Sequence, residues 1–500
     1  MSDTSLIIIG AGMAGLSAGC YARMNGYDVR IFEQHFLPGG LCTAWKRKGY
    51  TFDGAIRYLT GTGASAETAR LWQELHLLQT RPVYYYEEFS RYEDETGNAF
   101  RLYTNINMLR DHMLSLSPAD AGVIDEFCDA LWAFTKVDLP VDLTPSDPQE
   151  GLELGQTFLP ALGPLLRWNG VSLRQFANRF QSKLLREALP AFFQFTPPDF
   201  PMMMVLMTLA SMHTRESGYP MGGSLALAED LAKRFTDLGG KILYRSRVKR
   251  ILIEEHRAVG VELEDGSLQR ADVVISAGDG HSTLFDLLDG RYVDEKVQKN
   301  FSQLTVAHSI LQVSLGVRRD FSAEPPMLSF PLRRPIYLGN LRFERLVLKH
   351  YCFDRSLCPA GRSVLTLWCE ADYDYWKAIH VRPDQYQAAK GMAVEFILDA
   401  LEDRYPGTRQ AVQVVDVATP LTYERYTGNY RGSIHGWALT SRKLNMMMGS
   451  GMRKTLPGLA DFFMIGQWVE PAGNVELSVA SGRDVIKDLC KMEGREFVVD

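Results

Sequence analysis

The sequence predicts an α/β protein in which a Rossmann-like nucleotide-binding domain is interleaved with an α+β domain. Three observations carry that expectation. A strand–glycine turn–helix–strand unit opens the chain between Ser5 and Glu33. Buried-strand patterns of the same kind return within residues 219–290 and again within 455–500. The stretches between follow no nucleotide-binding pattern. The nucleotide domain is therefore expected to be discontinuous, made of residues 1–75, 219–290 and 455–500. Residues 76–218 and 291–454 form the other domain.

Ser5-Leu6-Ile7-Ile8-Ile9 is a continuous apolar run, the pattern of a parallel strand buried on both faces. Gly10-Ala11-Gly12-Met13-Ala14-Gly15 follows at once and fits the dinucleotide fingerprint G-x-G-x-x-G. Gly12 lets backbone approach a diphosphate, and Gly15 lets helix pack closely on strand. Met13 to Asn25 is helix-prone, and Gly26 stands where a C-terminal cap would. The N-terminus of that helix offers unpaired N–H groups and a positive dipole end to an anion. Asp28–Phe32 gives the second strand. Glu33 stands at its end, where a carboxylate can accept both ribose hydroxyls.

Beyond the acid, Glu33-Gln34-His35-Phe36-Leu37-Pro38-Gly39-Gly40 leads into a turn, and Tyr50-Thr51-Phe52-Asp53-Gly54 follows. Here the chain resembles the FAD-dependent phytoene desaturase, carotenoid isomerase and retinol saturase group of the amine-oxidase-like flavoproteins. The Glu-Gln-His opening and Cys42 look closer to the saturase and isomerase branch. Leu41 departs from the Arg common in desaturases. The resemblance implies a Rossmann-like FAD-binding domain and an α+β substrate-binding domain. FAD would be held by Gly10, Gly12, Ala14 and Gly15, by Glu33 and Gln34, and by Gly39, Gly40 and Leu41. Asp53 and Gly54 would line it as well. NAD would need only the first unit.

Leu71–Leu75 is helical in pattern, Val83–Tyr86 and Phe100–Tyr103 are β-prone, and a helix is expected from Ile106. Residues 115–188 read as mainly helical, broken at Pro140, Pro145, Pro160 and Pro164. Phe192 and Phe193 precede the Met202–Met207 run, which holds Met203 and Met207. Flexible, polarizable methionines suit the wall of a cavity for a long apolar ligand. They suit an ordinary buried helix equally. The resemblance puts this region in the substrate domain and favours the cavity.

The nucleotide pattern resumes at Tyr219, with a helix from about Leu225 to Leu238 and Ser224 as N-cap. Lys241–Tyr244, Val248–Ile253, Val259–Leu263 and Ala271–Ala277 read as strands, with a turn over Glu264–Ser267. The resemblance implies that the backbone of Val248 contacts adenine. Gly278-Asp279-Gly280 lacks a third glycine, so no separate NAD(P)H domain is expected. Ile310–Gly316 and Ser363–Trp368 read as strands and Gly391–Arg404 as a helix. Thr419–Thr427 and Gly432–Trp437 resemble a late segment of the same group, which makes Trp437 a substrate-binding candidate.

Phe462–Ile465 is a further buried strand, followed by Gly466-Gln467-Trp468 and by Pro471-Ala472-Gly473-Asn474-Val475 at the head of a helix running to about Lys491. This matches the group's C-terminal flavin motif. It implies FAD contacts from Gly466, Gln467, Gly473, Asn474 and Val475, with helical N–H groups directed at the ring. Two departures stand out. Glu476 replaces the usual Pro, as a proton donor or base near the flavin or as a complement to the helix dipole. Arg57 replaces a His common in saturases, as a cation facing flavin or substrate or as part of a structural ion pair.

With 500 residues, 46% hydrophobic and 23% charged, the composition is that of a globular protein of about two or three domains. A net charge of −6 gives no support for nucleic-acid binding. Seven cysteines without C-x-x-C pairs argue against a zinc ribbon and for a reducing compartment. No signal peptide and no spanning segment are evident, so the cytoplasm is the expected location, compatible with peripheral membrane contact. Oligomeric state is not legible. The expected activity is FAD-dependent desaturation, saturation or isomerisation of a long apolar polyene, isoprenoid or lipid-like substrate. A flavin amine oxidase and a flavin-free lipid escort of the Rab GDP-dissociation-inhibitor type are the alternatives on the same scaffold.

Overall fold

The structure is a computed structural model that describes residues 4–64, 67–137, 162–441, 453–470 and 473–499. The expected helical breaks at Pro140, Pro145 and Pro160 and the dipeptide Pro471-Ala472 lie outside the described residues. The central sheet has five parallel strands: β1 (Ser5–Ile9), β2 (Asp28–Phe32), β3 (Lys241–Leu243), β4 (Val273–Ser276) and β5 (Phe462–Met464). They lie in the order β3-β2-β1-β4-β5, with Leu6 opposite Val29 on one side and opposite Val273 on the other. Three distant stretches of sequence thus build one sheet.

Alternation along β1 divides its side chains between two cores. Leu6 and Ile8 face three helices, α1 (Met13–Met24), α2 (Gly223–Asp237) and α3 (Val475–Met492). Ile7 and Ile9 face a three-stranded antiparallel sheet made by Val248–Glu254, Arg257–Leu263 and Leu268–Arg270. The third of these strands follows the turn at Glu264–Ser267 and was not evident from so short a sequence. On the helical side, backbone meets backbone. A Cβ on Gly15 would sit 2.0 Å from the Gly10 carbonyl oxygen, and one on Gly482 would sit 2.6 Å from that of Ala14. Only glycine permits these approaches, which seat α1 on β1 and α3 on α1.

Helix α2 corrects the expected cap. It starts at Gly223, with Gly222 as N-cap in the left-handed region (φ +95°). Ser224 lies inside the helix. Its N–H and hydroxyl both donate to Asp53, each at 2.7 Å, so a distant carboxylate performs the capping that Ser224 was expected to perform.

A second, seven-stranded sheet runs in the order Val412–Ala418, Ser309–Val317, Ser363–Ala371, Leu341–His350, Met327–Leu338, Glu88–Glu93, Ala99–Tyr103. Its outer face, with Val313, Leu348 and Leu367, packs on a helix that runs from Pro383 to Arg404. That helix begins eight residues before the expected start, because Pro383 occupies its first turn, where proline is tolerated. The long hairpin of Met327–Leu338 and Leu341–His350 escaped the sequence reading. Pro331, Pro335 and two arginines interrupt the alternation, and the pairing is irregular between Pro331 and Ile336. Among the described residues no helix is long and apolar enough to cross a membrane.

The helix Glu67–Glu74 is pinned to α3 by a buried ion pair: Arg483 donates to both Glu74 oxygens, at 2.7 and 3.1 Å, and Tyr21 donates to one of them at 2.8 Å. Burial alone would raise the Glu74 carboxyl, but the Arg483 hydrogen bonds and charge outweigh it and hold it below its ordinary value. Arg483→Met is expected to cost about 3–5 kcal/mol of stability in chemical denaturation, because it strands a carboxylate in the core. In the wild type this contribution is fully present above the unfolded carboxylate value of roughly 4.3 and fades as the pH falls below it. The variant should lose that part of the acid dependence.

Candidate active site

A cleft of about 1450 Å³ opens at the carboxyl ends of the parallel strands, where ligands bind in open α/β sheets. Its floor is mainly backbone. Gly10, Gly12 and Ala14 follow β1, Gly39, Gly40 and Leu41 follow β2, and Gly466 and Gln467 follow β5. Gly12 bridges to Gly39, and a Cβ on Gly12 would meet nothing nearer than the Gly39 carbonyl oxygen at 4.0 Å. The space beside it is therefore the cleft itself. Helix α1 has no side-chain cap and no acidic residue in its first turn. Its leading N–H groups and positive dipole end are left for an anionic guest. The donor set fits the diphosphate of FAD.

Glu33 lies in the cleft wall and is 6% exposed. Burial raises its carboxyl, and N–H groups of His35 and Ala11, each donating at 2.7 Å, oppose that and fix both oxygens. Each oxygen keeps a lone pair for a ribose hydroxyl. Gln34 does not reach this cleft. It lines an adjoining hollow with Ser246 and Arg247. Val248 is buried beside that hollow and lines neither space. Gly15 sits beneath the cleft, where it seats the helix. Asp53 corrects the expectation of direct FAD contact: it is fully buried behind the cleft, accepting from Ser224 and from the N–H of Ala55 at 3.0 Å. It holds the Gly54–Arg57 loop, and that loop lines the cleft.

Gly473, Asn474, Val475 and Glu476 form the opposite wall. The expectation of unpaired N–H groups at this helix end is corrected in part. Asn474 caps α3, accepting from the N–H of Leu477 at 3.2 Å, and its amide donates to Glu476 at 2.8 Å. Glu476 therefore lies in the first helical turn and in the cleft wall at once. Burial pushes its carboxyl up, against a hydrogen bond from Thr60. Arg57 also lines the cleft. Among the described residues it makes no ion pair, and its guanidinium donates to the sulfur of Met327 at 4.0 Å. The structural ion pair is thus not found.

The substrate residues that the resemblance favoured lie elsewhere. Phe192, Phe193 and Met203 are buried in the main core, and Met207 packs against that core. The helix Met202–His213 is apolar on nearly every side because it is core on nearly every side. Trp437 packs edge-on against Trp468, with ring centres 4.9 Å apart, and lines a different, small cavity. An apolar groove of about 810 Å³ does adjoin the cleft at Gly40, Leu41 and Thr427, and is walled by Leu37, Trp45, Ala418 and Tyr423. Sequence reading also missed Trp368, Tyr58, Asn429 and His435 in the cleft wall. Only Trp368 left a signal. It sits on an inward position of the Ser363–Ala371 strand, two residues from Thr366.

The family model of flavin-containing amine oxidoreductases matches residues 13–485. The chain is 25% identical over 451 residues to a chloroplastic prolycopene isomerase of Daucus carota, covering 85% of this chain and 71% of that protein. It is 23% identical to an all-trans-retinol 13,14-reductase of Danio rerio, covering 93% and 82%. With a lycopene-forming phytoene desaturase of Pseudescherichia vulneris it shares 25% identity over 95% and 97%. Among solved structures, an oxidoreductase from Methanosarcina mazei aligns with a TM-score of 0.62 at 17% identity, covering 97% and 100%, and a putrescine oxidase with 0.61 at 15%, covering 98% and 99%. These two likenesses show the fold.

Gly12→Val should place a branched side chain in the space left for the diphosphate, and Glu33→Ala should remove the ribose acceptor. Both variants are expected to purify with most of the flavin absorbance lost while circular dichroism stays unchanged. Full flavin content in both would show that the dinucleotide lies elsewhere.

Proposed function

The chain belongs to the flavin-containing amine oxidoreductase family and is an FAD-dependent oxidoreductase; from that premise we propose that it acts on carbon–carbon double bonds of a long apolar polyene or isoprenoid. The observation that carries this reading is the mainly apolar groove, which meets the cleft at Gly40, Leu41 and Thr427 and offers an apolar substrate a place beside it. The names of the isomerase, reductase and desaturase relatives point the same way. An amine substrate is disfavoured by electrostatics, because Arg57 stands in the cleft without a carboxylate partner among the described residues and would repel an ammonium. A flavin-free escort has no use for the backbone cradle at α1.

Bound FAD supplies hydride exchange. The chain's own residues supply the proton and the orientation. Glu476, with its carboxyl raised by burial, holds a proton further up the pH scale than an exposed glutamate does. Asn474 fixes the side chain by its hydrogen bond, which leaves the carboxyl at the cleft surface. Trp45, Tyr423 and Ala418 exclude water along the groove.

Glu476→Gln keeps shape and hydrogen bonding but removes the titrating proton, so turnover should fall by about 10²- to 10⁴-fold with FAD content unchanged. Where Glu476 donates the proton, the wild-type rate should decline as pH rises through the raised carboxyl value, and the variant should lose that limb. A wild-type rate and profile in the variant would leave Glu476 with the helix-dipole role alone.

Anaerobic incubation with polyenes, followed by mass spectrometry, distinguishes gain of a hydrogen pair, loss of one, or an isomer of unchanged mass. Any of these is the expected outcome. Oxidation of alkyl amines with no reaction of polyenes would overturn the reading.

A further inference from the structure

We propose that the inner face of the seven-stranded sheet carries a polar subsite, formed by Lys349, Thr366 and Tyr351 beside Arg57, that receives a carboxylate at one end of an otherwise apolar substrate. This rests on the proposed polyene activity and narrows its substrate class.

Strand alternation sets the placement. Leu348 and Leu367 face outward into the sheet–helix core, so Lys349, Thr366 and Trp368 face the other way. Cross-strand pairing puts Met327, Lys349, Thr366 and Ser314 in one row across four strands. Both ends of that row are satisfied: Met327 meets Arg57, and Ser314 accepts from Gln312 at 3.0 Å. The middle is not. Lys349 Nζ, Thr366 Oγ1 and the neighbouring Tyr351 hydroxyl are buried without a hydrogen-bond partner among the described residues. Lys349 is 3% exposed, Thr366 0% and Tyr351 4%.

Native structures rarely leave such an atom orphaned, and here Lys349 and Thr366 are cross-strand partners, with Tyr351 two residues further along the chain from Lys349. Lys349 Nζ lies 3.6 Å from the ring centre of Trp368, and Trp368 lines the cleft. An aromatic face only partly replaces the water that an ammonium loses. Burial drives the Lys349 amine well below its ordinary value, and the charge of Arg57 adds to that. Asp53 acts on Lys349 from behind, but its oxygens are already engaged by Ser224 and Ala55. Neither cation has a carboxylate within ion-pair range among the described residues. The row therefore offers a buried amine and two hydroxyls beside a guanidinium, with no anion of its own among the described residues. A guest carboxylate would accept from all of these groups and return the lysine to its charged form.

The test titrates the flavin-loaded protein with a polyene carboxylate and with the methyl ester of the same acid, following the flavin absorbance. The wild type should bind the acid at least about tenfold more tightly than the ester, since charge-assisted hydrogen bonds are lost with the ester. Lys349→Met, which keeps the stem over Trp368, should abolish the preference while retaining FAD and ester binding. Should that variant fail to fold, the Thr366→Val/Tyr351→Phe pair is expected to show the same loss. Equal binding of acid and ester by the wild type, or a preference retained in the substituted proteins, overturns the subsite alone. Failure of both compounds to bind at all would overturn the polyene reading, and the subsite with it.

Discussion

The Asp53 carboxylate is the junction on which the site depends. One oxygen accepts from the N–H of Ser224, the other from the Ser224 hydroxyl and from the N–H of Ala55. The carbonyl oxygen of the same residue accepts from Gln312 at 3.1 Å. One residue thus joins the strand Tyr50–Asp53, the start of α2 and the inner face of the seven-stranded sheet. Such an acid is costly to bury, and burial raises its carboxyl against those hydrogen bonds. Its location is informative. Two sheets made of interleaved stretches must hold one register across the cleft, and a fully bonded buried carboxylate tolerates few alternatives to that register.

Gln312 extends the junction sideways. Its carbonyl oxygen accepts from Trp368 at 2.9 Å and from Tyr423 at 2.7 Å, so the aromatic walls of cleft and groove are fixed to the same point as the flavin-side loop. The inner sheet face therefore differs from the outer one by purpose as well as by polarity. Leucines and valines outside make the core, while polar groups inside are arranged around the cleft. The satisfied part of that inner row positions the walls. The unsatisfied part at Lys349, Thr366 and Tyr351 is where a ligand would complete the network.

Legibility in the sequence followed the chemistry of each wall. The dinucleotide floor is made of backbone, and backbone demands leave residue-type signatures: glycines at fixed offsets, a strand before them, an acid after the next strand. Gly10, Gly12 and Glu33 were readable for that reason, Gly39, Gly40 and Gly466 only through the resemblance, and all lie on the cleft. The opposite wall is made of side chains brought together by long-range pairing, as with Trp368 opposite Gln312. No local spacing announces such a pair. Composition left the Met202–Met207 run open between binding wall and core; the resemblance favoured the wall, and the structure packs Met203 in the core and Met207 against it. The hairpin that carries Lys349 was hidden by prolines and arginines in its strands, so the group most in need of a partner could not be placed from sequence.

Glu476 shows how the two kinds of wall meet. Its helix is seated on α1 at Gly482, where backbone contact allows no other residue, and Ser17 donates to the carbonyl oxygen of Val479 at 2.7 Å. Ser481 accepts from the N–H of Gly466 at 2.9 Å, which ties the same helix to the end of β5. Three contacts within two turns fix the first turn of α3 relative to the dinucleotide floor. A carboxyl at that turn cannot drift without unseating the helix, so its distance from whatever lies on the floor is set by the fold. The helix dipole stabilises its charged form, while burial stabilises its protonated form. These opposing effects, acting on one rigidly held group, are the conditions under which a proton can be both kept and released.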